Sequence, residues 1–185
     1  ILLFSAIYAM QFGAGILSKE ESEKTIEFLL AKPVKRSSVI TSKMLCLLFY
    51  MILFNIIFAL ADYAAFKVVT DQSFGIKAFI MLHVGQLLMQ LFFAAVGLFI
   101  SVFVVKASVI FPLSAGVVLG MYFVNIVSSI SEKLDGLKYF TPFKYIVPTD
   151  IIKTGGIRTA YLIIIFTVII LTAAGTYMFY NKKNI

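Results

Sequence analysis

Five apolar runs dominate this chain of 185 residues and limit what it can fold into. They cover residues 1–17, 39–66, 78–105, 107–130 and 160–180. A helix needs about 20 apolar residues to cross a hydrocarbon core of about 30 Å, so each of the last four runs predicts a spanning helix. The first run is shorter, and we expect it to be the inner part of a spanning helix that begins before residue 1.

The composition indicates that lipid surrounds these runs. Hydrophobic residues make up 61% of the chain and charged residues 14%, against about 45–50% and about 25% in soluble domains. The net charge of +7 raises the possibility of nucleic-acid binding. The lysines and arginines, however, cluster at the ends of the apolar runs, which fits lipid headgroups better. We therefore predict an all-α polytopic transmembrane bundle in one domain, without a nucleic-acid partner.

A short charged segment, SKEESEKTIEFLLAKPVKRSS at residues 18–38, interrupts this apolar pattern. Ser18 and Glu21 have the spacing of a capping box at a helix start, and Pro33 would end the helix. Apolar and charged residues between them fall on opposite faces. The pattern predicts a short amphipathic helix over residues 18–36, and the bases at the adjoining span ends place it in the cytoplasm.

Two interpretations of this helix are open. It is either a solvated helix at the membrane interface or a docking helix whose charged face meets another protein. Its acidic start argues against simple adsorption to anionic lipid, because that binding favours basic polar faces.

The residues of this segment also carry a family resemblance. Glu20-Glu21, Thr25-Ile26-Glu27-Phe28-Leu29-Leu30 and Pro33-Val34-Lys35-Arg36-Ser37 resemble the coupling-helix signature of type-two ATP-binding-cassette (ABC) permeases. Lys24 departs from the pattern, which usually has Gly there, and Glu23 stands where a base is common. A weaker similarity is the Thr-Pro-Phe stretch at Thr141–Phe143, before the last span.

The resemblance implies that this helix docks on a partner. The implied docking residues are Glu20, Glu21, Thr25, Glu27, Phe28, Leu29, Leu30, Pro33 and Arg36. The partner would be a separate cytoplasmic ABC ATPase subunit, which holds the ATP and Mg. This chain would bind no cofactor or metal and would not itself be an enzyme. Consistent with that, its sequence has no G-x-x-x-x-G-K-[ST] phosphate loop.

The resemblance further implies an exporter permease in the plasma membrane of a bacterium. Two permease chains, identical or different, would form the pathway. The family has six spans, so the first would precede this chain. The alternative is an ATP-independent carrier or channel subunit with an interfacial cytoplasmic helix, although the runs show no inverted repeat.

Polar residues inside the apolar runs are the remaining candidates for function. Asn55, Gln86, Gln90 and Asn125 either hydrogen-bond between helices or border a substrate path. His83 is the only histidine, so it has no second histidine with which to bind a metal.

Two further features concern packing and the outer surface. Gly116 and Gly120 form a small-residue motif, which serves packing either within the chain or between two chains. Residues 131–159 are too polar to span, and their many aromatic residues predict an external segment at the membrane interface.

Overall fold

The computed structural model describes residues 2–22, 35–69, 75–130, 136 and 139–183. Within these ranges the chain is helical and contains no strand. The helices are α1 (Leu2–Ser22), α2 (Arg36–Val69), α3 (Ile76–Ser101), α4 (Ala107–Ile130), a 3₁₀ helix (Pro142–Lys144), α5 (Pro148–Thr154) and α6 (Thr159–Lys182).

Five of the described helices, namely α1, α2, α3, α4 and α6, are long and apolar enough to cross a membrane. The predicted all-α membrane bundle is therefore confirmed. With 34 residues, α2 is about 51 Å long at about 1.5 Å per residue. It exceeds the hydrocarbon thickness, so it tilts or extends beyond the core.

The helix boundaries differ from the apolar runs mainly at the end of the bundle that contains Ser18 and Ser101. Helix α1 continues to Ser22, five residues beyond the predicted end of the first span at Leu17. The predicted helix start at Ser18 is therefore wrong. Ser18 lies fully buried inside α1, where its hydroxyl donates a hydrogen bond to the Ser101 carbonyl at 3.3 Å. Helix α3 ends at Ser101, before the apolar run does.

Helix α3 is the centre of the bundle. It packs on α1 most extensively, and also on α6, α2 and α5. More than half of its apolar window is buried (56%), against 11–17% for α2, α4 and α6. The latter three helices therefore present most of their apolar surface to lipid or to another chain.

Two glycines allow α1 and α3 to pack closely. A Cβ atom on Gly13 would collide with the Ala94 carbonyl oxygen, and one on Gly97 would collide with the Met10 carbonyl oxygen. In each case the obstacle is backbone, which cannot rotate away as a side chain can. Small residues of this kind let helix backbones approach in membranes.

The external segment folds back onto the bundle in the part that the structure describes. Phe143 in the 3₁₀ helix is buried, with its ring 5.6 Å from that of Phe93 and 5.4 Å from that of Tyr122. Tyr139 and Phe140 remain exposed, as an interfacial segment predicts. Helix α5 ends at Gly155, whose φ of 70° lies in the left-handed region that favours glycine.

Candidate functional site

The ends of four helices meet at Lys183, which directly follows α6. Its ammonium group donates to both carboxylate oxygens of Glu21, at 2.8 and 2.6 Å, and to the Val102 carbonyl at 2.7 Å. Its own carbonyl oxygen accepts a hydrogen bond from the Arg36 guanidinium. Because an ammonium has three donors, Lys183 is fully engaged.

The cluster around Lys183 is shielded from water. The Glu21 side chain is 5% exposed and that of Lys183 is 21% exposed. Removal of one partner of a buried ion pair leaves an uncompensated charge and costs about 3–5 kcal/mol. The pair therefore fixes the end of α1 against the end of α6, and the hydrogen bond to Val102 adds the end of α3.

A second ion pair joins α1 to α2. The Lys43 ammonium contacts a carboxylate oxygen of Glu20, and both side chains are partly buried. Glu20 and Glu21 were predicted to dock a partner, but the structure places them in the last turn of α1, in ion pairs within the chain. On the C-terminal side of residues 23–34, the one described member of the predicted docking set is Arg36, the first residue of α2.

The rest of the predicted coupling helix lies outside the described residues. This applies to Thr25, Glu27, Phe28, Leu29, Leu30 and Pro33. The structure does position the two ends of that segment, at Ser22 and Lys35. The clusters around Lys183 and Lys43 lie directly beside those ends.

Three of the four polar candidates within the spans lie close together. The Asn55 side-chain amide in α2 donates to the Gln90 side-chain oxygen in α3 at 3.4 Å. Gln86 is one helical turn before Gln90, and all three residues are at most 6% exposed. The Nε2 atoms of Gln86 and Gln90 have no hydrogen-bond partner among the described residues.

Asn125 does not join this group. It lies in α4, where its carbonyl oxygen accepts hydrogen bonds from the hydroxyls of Ser128 and Ser129, both at 2.9 Å. Within the described part of the chain its buried side-chain oxygen has no partner. The four predicted path residues therefore form two groups. Asn55, Gln86 and Gln90 cluster between α2 and α3, and Asn125 lies apart in α4.

His83 and Asp62 form a polar pair between the N-terminal part of α3 and the C-terminal part of α2. The Nδ1 atom of His83 lies 3.0 Å from the Phe79 carbonyl oxygen, which can only accept, so Nδ1 carries the proton of that hydrogen bond. The Nε2 atom lies 3.4 Å from Oδ2 of Asp62, within ion-pair distance although without hydrogen-bond geometry. Together with Gln86 these residues line a cavity of about 560 Å³.

Tyr145 stabilises the external segment beside this cavity. Its hydroxyl donates to the Tyr139 carbonyl, and its ring stacks on Tyr161 with centroids 4.6 Å apart. Burial raises the pKa of Tyr145 to about 12, and the nearby Tyr161 phenol contributes in the same direction.

The predicted small-residue motif makes no close contact within the described part of the chain. A Cβ atom on Gly116 or Gly120 would have no neighbour within 4 Å. The glycines that pack against backbone atoms are Gly13 and Gly97, which the sequence analysis missed. A detectable signal was present, since Ala6, Ala9 and Gly13 recur at helical spacing on one buried face of α1.

A family model described as "ABC-2 family transporter protein" matches residues 1–184. Neither the curated proteins nor the solved structures contain a match.

Proposed function

Because this chain belongs to the ABC-2 transporter family, as a membrane permease subunit, we propose that it couples ATP hydrolysis in a separate ATPase subunit to the export of a substrate. The coupling element is the charged segment at residues 18–36. The ATP and Mg belong to the ATPase. We place the complex in the plasma membrane of a bacterium.

One observation supports this proposal most directly. The Lys183 cluster and the Glu20–Lys43 pair connect the helix ends on both sides of residues 23–34 to α3 and α6. Packed helices move as discrete bodies because protein interiors are dense. A force applied to the segment would therefore reach four helices at once.

The proposed docking surface contains fewer residues than the sequence pattern suggests. Glu21 is buried in its pair with Lys183, so we assign it to holding the bundle together. Glu27 and Arg36 remain the proposed charged contacts, and Phe28 and Leu29 the apolar anchors. Arg36 has five N–H donors, so its hydrogen bond to the Lys183 carbonyl leaves others for a partner.

The substrate path and the second permease chain are further parts of the proposal. Gln86 and Gln90 have unpartnered buried amides among the described residues, which a passing polar group could engage. The exposed apolar faces of α2, α4 and α6 are available to a second chain, identical or different. Gly116 and Gly120 lie open on α4, where they would allow a second helix to approach.

The experiment is a co-purification of the full-length permease with the ATPase, followed by transport and ATPase assays in proteoliposomes. Glu27→Ala combined with Arg36→Ala should lower transport per ATP hydrolysed at least tenfold, because removal of paired interface charges costs about 2 kcal/mol or more. Insertion into the membrane should be unchanged.

The matched control is Asp150→Ala, an exposed charge in α5, within residues 131–159. It should leave coupling as in the unmodified chain. Normal binding and coupling after both Glu27→Ala and Arg36→Ala would show that the segment is not the docking element.

A further inference from the structure

The cavity near the outer end of the bundle has the size and lining of a small-molecule site. Its volume of about 560 Å³ lies within the 300–1,000 Å³ typical of such sites. It lies between the C-terminal end of α2 and the N-terminal end of α3, and Ile146 and Pro148 of the external segment close one side. Its apolar lining residues are Leu2, Ala65, Phe66, Val69, Phe79, Leu82, Ile146 and Pro148.

The polar groups of this cavity are few, and its one carboxylate among the described residues, that of Asp62, lies 3.4 Å from Nε2 of His83. Asp62, His83 and Gln86 are the polar side chains in its lining, and Asp62 is the acid among them. The Asp62 side chain is 40% exposed, so an incoming molecule can reach its carboxylate. Lys67 lies on the same helix, but its ammonium is over the Tyr63 ring, 5.2 Å from the centroid.

Gln86 adds a donor at the inner end of the same cavity. Gln86 is 6% exposed, and its Nε2 atom has no hydrogen-bond partner among the described residues. A buried amide donor without a partner is unfavourable, because it has lost its hydrogen bond to water. A ligand that accepts a hydrogen bond here would recover that energy.

We propose that this cavity binds an amphipathic organic cation. The cationic group would pair with the Asp62 carboxylate, which acts strongly because the surrounding walls are apolar. The apolar body would fill the space against Leu82 and Ile146, which line the cavity. That this molecule is the transported substrate rests on the proposed function, whereas its binding does not.

The test uses two probes of the same shape and opposite charge. The full-length permease, purified with its ATPase in nanodiscs, is titrated with radiolabelled tetraphenylphosphonium and, separately, with tetraphenylborate. The cation should bind saturably and at least tenfold more tightly than the anion. Equal or tighter binding of the anion would overturn the proposal.

Variants locate the binding in this cavity. Asp62→Asn should weaken tetraphenylphosphonium binding at least tenfold, Asp62→Glu should retain binding within about threefold, and Asp150→Asn should have no effect; a tenfold loss corresponds to about 1.4 kcal/mol. Ala65→Phe should abolish binding by filling the cavity without altering charge. Unchanged affinity in both Asp62→Asn and Ala65→Phe would place the cation elsewhere and contradict the proposal.

The outcome is separable from that of the proposed function. Stimulation of ATPase activity by the bound cation, lost in Asp62→Asn, would support its role as substrate. Saturable binding without stimulation would support the site and overturn only that role. Uncoupling by Glu27→Ala and Arg36→Ala is measured independently, so either result can stand without the other.

Discussion

The ammonium of Lys183 lies 2.6 and 2.8 Å from the two carboxylate oxygens of Glu21, although 162 positions separate these residues in sequence. The pair joins the last turn of the first span to the end of the last one. It lies immediately before residues 23–34, the proposed coupling region. The contact therefore connects the C-terminal ends of α1 and α6 beside the segment where we propose that a partner acts.

Lys183→Met should destabilise the bundle, because it leaves the carboxylate of Glu21 buried without its counter-ion. We expect a loss of about 3 kcal/mol in the free energy of unfolding, measured by SDS-induced unfolding in mixed micelles. Lys182→Met is the matched control, since Lys182 is exposed, and it should change stability by less than about 0.5 kcal/mol.

Exchanging the charges of Lys183 and Glu21 tests the same contact more directly. Lys183→Glu alone should be more damaging than Lys183→Met, because two carboxylates would then face each other. Adding Glu21→Lys should recover part of the lost stability. No recovery in the double variant would mean that the two side chains do not pair.

Gly97→Val should prevent close packing of α1 on α3. The new side chain would meet the backbone of Met10, which cannot move without shifting the whole helix. We expect a loss of about 2–3 kcal/mol, at the upper end of overpacking effects, measured by the same unfolding assay.

Gly116→Val is the matched control for Gly97→Val, because its Cβ enters open space. The fold should tolerate it. If a second permease chain packs on α4 at Gly116, as proposed, this variant should lower the dimer fraction in crosslinking experiments. Equal destabilisation by the two glycine variants would contradict the packing described for α1 and α3.

Asn55 and Gln90 should show a measurable coupling energy. Their hydrogen bond crosses from α2 to α3 inside the bundle, where such contacts average about 0.6 and reach about 1.7 kcal/mol. A double-mutant cycle with Asn55→Ala and Gln90→Ala measures this value. The pair Asn125→Ala and Gln90→Ala should be additive, and a coupling as large there would contradict the separation of Asn125 from the cluster.

The Tyr145 phenol should ionise about two units above an ordinary tyrosine, at a pKa of about 12 instead of 10.0. The pKa of this phenol is higher in the folded state than in the unfolded state, so the neutral phenol stabilises the fold fully below pH 10. This stabilisation is lost as the pH rises towards 12. The difference in absorbance at 295 nm between the unmodified chain and Tyr145→Phe measures the titration. A midpoint near 10 would show that the ring is not buried as described.

The sequence predicts the number and approximate positions of the spans because the length of an apolar run depends only on residues that are neighbours in sequence. The run at residues 107–130 coincides with α4. The end of α1 was misplaced because Ser18 and Glu21 satisfy a capping pattern that is equally compatible with a helix interior. Burial of Ser18 against Ser101, a contact between distant residues, decides between the two.

The candidate site was predictable only in part. Gln86 and Gln90 are four positions apart, which places them on one face of a helix, and both are buried in α3. This spacing could not identify Asn55 as the partner of Gln90, nor Asp62 as the partner of His83, because residues on different helices have no fixed register in sequence. The same reason explains why the Gly116 motif was noticed, whereas the contacts of Gly13 with Ala94 and of Gly97 with Met10 were not.

The amino-acid sequence by itself determined that this chain is a helical membrane protein, since the length and polarity of its runs allow no other solvent than lipid. The family match over residues 1–184 is also a property of the sequence. Only the tertiary structure decided which glycines touch backbone, which helix ends Lys183 joins and where the cavity beside Asp62 lies. These features depend on how helices approach one another in space, and that geometry arises from the packing of the whole bundle.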